Sequence, residues 1–155
     1  MRIGEIIVDW LNETVLFEMA YQRKKVIEII SNHQQQIAIH LVKCLYYDVP
    51  SGMVDHWIAE INAWLGKINS LKLKNGKKLS GDVYYALLFR EPLGELSDLE
   101  GIVDSIDTFE GMGSYNKVGS IHIVHERCEK ILHSLSYDLA NGKARNIQHY
   151  FEAYP

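Results

Sequence analysis

Residues 52–69 place Met53, Trp57, Ile58, Ile61, Trp64, Leu65 and Ile68 on one broad stripe, with Asp55, Ala59, Asn62, Gly66 and Lys67 outside it. Apolar spacings of three and four residues specify an amphipathic helix, whereas a half-buried strand would alternate at every second residue. Ser51, directly after Pro50, is a fitting N-cap for this helix.

The same period recurs along the chain. Ser97-Asp98-Leu99-Glu100 reads as a capping box, followed by an inner face of Leu99, Ile102, Val103, Ile106 and Phe109 and a stop at Gly111 and Gly113. A third helix is expected over about 116–139 on Val118, Ile121, Val124, Cys128, Ile131, Leu132, Leu135 and Leu139. Asn141-Gly142 stops it, and a short terminal helix follows over 143–152. The first fifty residues read as two helices. One covers about 3–30 with a break or bend near Asn12, and the next starts at Asn32 and ends before Pro50. From Ile37 to Tyr47 this second helix is apolar nearly all round, which marks it as the most buried element.

Between 70 and 95 the pattern changes. Leu71 to Leu79 alternates around Asn75-Gly76, the two-residue hairpin signal, and reads equally as a lysine-rich loop. Asp82 to Phe89 favours a short helix ended before Pro92. The expected fold is therefore all-α: a single-domain, irregular bundle of five to seven helices over residues 1–155, with room for one short hairpin near 71–80.

Charge is segregated. Residues 91–110 hold Glu91, Glu95, Asp98, Glu100, Asp104, Asp107 and Glu110 and no Lys, Arg or His, while 67–78 hold five lysines and no acid. Glu100, Asp104 and Asp107 fall at i, i+4 and i+7, one ridge along the expected helix. Ordinary surface helices interleave signs for i, i+4 pairing; a ridge of one sign suits a surface that selects a basic partner. Tyr84 and Tyr85, close by in sequence, add side chains of the type enriched at interface hot spots. The leading expectation is a non-enzymatic protein-binding module using Glu100, Asp104, Asp107, Glu110, Tyr84 and Tyr85. Its most concrete form is an immunity or antitoxin protein that caps a basic nuclease.

The net charge of -4 gives no support for a general phosphate-binding surface, so no nucleic-acid partner is expected. No apolar run reaches the length of a membrane span, and Glu5, Asp9 and Glu13 interrupt any secretory h-region. Cys44 and Cys128 both fall on apolar helix faces, which allows a disulfide and favours buried free thiols of a reducing, cytoplasmic compartment. No phosphate-cradling, dinucleotide or nucleophile-elbow motif occurs.

The alternative expectation is a metal-dependent enzyme. His122, Glu126, Glu129 and His133 lie near one line along the third helix with His125 beside them, and imidazole with carboxylate suits Zn or Fe. His122-x-x-His125 resembles the late paired histidines of small metal-binding bundles related to the DinB family. The ligand set of this alternative, read from the stripe itself, is His122, His125, Glu126 and His133. Arg127 and His133 have a spacing similar to that of helical ribonucleases of the HEPN group, although on one helix they point about 120° apart. The third expectation is a homo-oligomer in which the His/Glu stripe forms a subunit contact.

Overall fold

The structure, a computed structural model, describes the backbone of residues 3–75 and 93–155 and the side chains of 24–71 and 93–155. Among the described residues it is all-α, with five helices and no strand. They are α1 (Ile3–Tyr46), α2 (Ser51–Asn75), α3 (Leu96–Phe109), α4 (Ile121–Ala140) and α5 (Ile147–Ala153). The chain thus forms the irregular helical bundle that its periodicity specifies.

α1 is one continuous helix of 44 residues, without a break near Asn12 or a restart at Asn32. Gly4 is its only glycine and it contains no proline. An interior Asn weakens a helix by well under about 1 kcal/mol, too little to interrupt the hydrogen-bond ladder. Its C-terminal half is the centre of the molecule: Ile37, Ala38, Leu41 and Val42 are fully buried, with Ile39, Cys44, Leu45 and Tyr46 packed against them.

α2 packs along α1 through Trp57, Ile61, Leu65 and Ile68. Ser51 is its first residue rather than its cap, and the Pro50 carbonyl accepts from Met53 N at 3.0 Å. The helix continues through Leu71–Asn75, where the alternation suggested a strand. Leu71 extends the Leu65/Ile68 stripe against the core, and leucine and lysine are strong helix formers, so the longer period wins. The remainder of the hairpin segment and the helix expected over 82–89 lie outside the described residues.

The cap of α3 is Glu95, two residues before the expected one at Ser97. Glu95 N donates to Asp98 Oδ2 at 2.8 Å, so the capping box is Glu95/Asp98 and not Ser97/Glu100. Gly94 makes this entry: its φ is +59°, and a Cβ there would collide with the Asp98 carboxylate. The helix buries Leu99, Val103 and Ile106 and stops before Gly111, whose φ is +69°.

α4 starts at Ile121, later than the expected 116, because residues 116–118 pair with the end of α1. Tyr47 and Lys117 form an isolated antiparallel bridge, Val118 N donates to Tyr46 O at 2.7 Å, and Asp48 N donates to Asn116 O at 2.8 Å. Ser120 Oγ then caps α4 by accepting from His122 N at 3.2 Å. α5 is seated by Asn62 of α2, whose Oδ1 accepts from Ile147 N at 2.8 Å. No described helix is long and apolar enough to cross a membrane.

Cys44 is half-buried, Cys128 is buried, and both are free thiols. Burial pushes each thiol up to about 12, so neither carries a thiolate near neutral pH.

Candidate functional site

α3 divides the carboxylates of the acidic segment into two groups. Asp107 and Glu110 turn toward the rest of the fold. Asp107 Oδ1 accepts from the Tyr47 hydroxyl at 2.7 Å, and its Oδ2 lies 3.1 Å from the Lys117 ammonium. Lys117 also stands over the Tyr47 ring, 5.1 Å from the centroid. Burial, followed by the hydrogen bond to Asp107, holds the Tyr47 phenol well above its ordinary value, so it stays a donor. Glu110 pairs with Lys43, a lysine only 4% exposed whose ammonium lies 5.7 Å from the Trp57 ring centroid.

Glu100 and Asp104 face outward and are exposed, as are Glu95 and Asp98 at the start of the helix. The ridge therefore has two functions along its length. One end fastens α3 to α1 and to the loop before α4, and the other presents carboxylates to solvent. Tyr84 and Tyr85 lie outside the described residues.

Lys43, Tyr47 and Lys117 were not singled out with this site in the sequence. Their separations from Asp107 and Glu110 put them beyond any local spacing rule; only the placement of Lys43 and Tyr47 within the most apolar helix segment hinted that they needed partners.

Phe109, expected on the inner face, is 86% exposed. It closes one end of a groove of about 840 Å³ between α1 and α3, floored by Ile39, Leu93, Ile102 and Ile106.

The histidine stripe is dispersed. His122, Glu126 and His133 are exposed on α4. Glu126 pairs with Lys130 at 3.4 Å. His125 Nε2 donates to the Gly94 carbonyl at 2.9 Å, which pins the start of α3 to α4. Among the described residues no group of three or more His, Cys, Asp or Glu side chains is arranged to hold a metal ion. Arg127 is likewise committed: its Nε donates to Tyr154 O at 2.6 Å, at the C-terminal end of α5.

A second polar seam lies between α1 and α2. His40 Nδ1 donates to the Gln36 carbonyl at 2.9 Å, and its Nε2 lies 2.7 Å from Glu60 Oε2. The other Glu60 oxygen is 3.0 Å from His56 Nε2, and the His40 ring meets Trp64 edge-on at 4.7 Å. Burial, and then the nearby Lys43 charge, hold the His40 imidazole below its ordinary value.

No family model, curated protein or solved structure matches this chain.

Proposed function

We propose that this protein is a cytoplasmic, non-enzymatic binding module that recognises the basic surface of a partner protein through α3. An immunity or antitoxin protein capping a nuclease is the form that such a small acidic helical bundle suits, by analogy at the level of fold. The observation that carries the reading is the division of α3. Glu100 and Asp104 project to solvent, while Asp107 and Glu110 hold the helix to Tyr47, Lys117 and Lys43. A charged surface on an anchored helix loses little conformational freedom on binding, and its field steers an oppositely charged partner. The buried free thiols of Cys44 and Cys128 support a reducing compartment. An interface of standard size would cover roughly 800 Å² on each partner.

The test is affinity capture from host lysate at low and high salt, comparing the wild type with the double variant Glu100→Lys, Asp104→Lys. The expected result is one basic protein held by the wild type at low salt, released at high salt, and lost from the folded double variant. Equal capture by both proteins would remove the charge-led reading.

A further inference from the structure

We infer that the groove between α1 and α3 seats a basic amphipathic helix of the partner, an inference that rests on the charge-led reading above and specifies its mode. α3 turns a row of every fourth residue into the groove: Ser97, Gly101, Ser105 and Phe109. Three small side chains leave the helix backbone open to close approach, and the fourth supplies an aromatic anchor.

Gly101 sits in the middle of this row. No described residue lies within 4 Å of the position a Cβ would occupy, as is also the case at the helical Gly52 and Gly66, so no described neighbour requires glycine there. Glycine inside a helix is less favourable than alanine by about 1 kcal/mol, and the packing of the described residues offers no return for it. Close approach of a second backbone is a use that the open space permits. Phe109, 86% exposed at the end of the row, presents apolar area that no described neighbour covers.

The chemistry of the occupant follows from the lining. Ile39, Leu93 and Ile102 suit an apolar stripe, while the charged residues among the described lining are Asp98 and Glu110. Glu110 already pairs with Lys43, so exposed Asp98 is the one that offers negative charge to an occupant. Asp104 and Glu100 continue the negative charge beyond the α3 edge. A helix satisfies its own backbone hydrogen bonds and needs no strand edge, and the described residues supply none, so a helix is the occupant that suits this groove. α3 spans 14 residues, about 21 Å, which matches a partner helix of about four turns.

The test uses a synthetic helical peptide of about 18 residues with leucines at i, i+3, i+4 and i+7 and lysines elsewhere, and a control with glutamates in place of the lysines. Binding is read by fluorescence anisotropy, and its location by amide chemical shifts of the labelled full chain. The lysine peptide is expected to bind in a salt-sensitive way and to shift α3 and the 35–39 segment of α1, while the glutamate peptide does not bind. Gly101→Phe, which fills the groove from a position with open space, is expected to weaken binding about tenfold or more, and Phe109→Ser to weaken it in the same direction. Ser105→Phe replaces Gly101→Phe if thermal melting shows that variant unfolded. Undiminished binding to the groove variants, equal binding of the glutamate peptide, or no binding of the lysine peptide overturns the groove assignment. The double variant Glu100→Lys, Asp104→Lys separates the two readings. Loss there with full binding to Gly101→Phe leaves charge recognition without a groove, and the reverse leaves the groove without the ridge.

Discussion

Tyr47 donates its hydroxyl to Asp107 across 2.7 Å, and this contact joins the end of α1 to the last turn of α3. Because the phenol is largely buried and the acceptor is charged, the bond is of the stronger kind. Tyr47→Phe removes it with little change of shape. The expected loss is about 1.5–3 kcal/mol of unfolding free energy, measured by urea denaturation. Amides of α3 are expected to exchange faster in the variant; an unchanged midpoint would show that the contact does not anchor the helix.

Lys43 and Glu110 make a second tie between the same helices, with the lysine side chain 5% exposed and the glutamate 42% exposed. Glu110→Gln strands a buried ammonium and is expected to destabilise by about 2 kcal/mol. The double variant Lys43→Met, Glu110→Gln removes both charges while keeping an apolar stem beside Trp57, and is expected to recover most of that loss. A double variant as unstable as the single one would mean that side-chain packing, rather than charge pairing, sets the effect.

The helices were legible where a stripe ran for four turns or more. Trp57, Ile61, Leu65 and Ile68 are all buried as their spacing demands, and so are Cys128, Ile131, Leu132, Leu135 and Leu139. Local signals were less decisive where two of them competed. Asn75-Gly76 suggested a turn, yet Leu71 keeps the helical period of α2, and Ser97 offered a cap where Gly94 had already set the entry for a Glu95/Asp98 box. The outward half of the ridge was legible because Glu100 and Asp104 need nothing from the fold. Its inward half was not, since Tyr47 and Lys43 reach Asp107 and Glu110 over 60 and 67 residues of sequence. The absence of bases within 91–110 marked a segment neutralised in part from elsewhere, an outcome that spacing within one helix cannot express.

Acid is expected to weaken the fold through His40. Burial and Lys43 hold its imidazole below the ordinary value, while Glu60 and the Gln36 carbonyl pull the other way without cancelling them. The unfolded chain therefore takes up the proton first, and stability falls as pH drops from the ordinary imidazole value through the lowered one. Above that window the group is neutral in both states and contributes no slope. His33, lowered by burial and Lys67, adds to the same trend. Urea midpoints between about pH 7.5 and 5.5 are expected to fall in the wild type and to fall less in His40→Gln. Parallel slopes would assign the dependence to His33 or other groups and not to His40.

Gly101→Ala is expected to stabilise the protein. The position is helical, its Cβ would meet nothing within 4 Å, and alanine relieves the entropic disadvantage of glycine by about 0.5–1 kcal/mol. For a chain of this size that gain corresponds to a rise in Tm of roughly 1–4 °C, read by circular dichroism. Gly94→Ala provides the contrast, since its φ of +59° and the adjacent Asp98 carboxylate leave no room for a methyl group, and it is expected to lower Tm. Two alanines in one short segment thus move stability in opposite directions, for reasons that separate the needs of the fold from those of its surface. If Gly101→Ala also lowered Tm, the glycine would be serving the fold itself, and its place in the groove would lose its meaning.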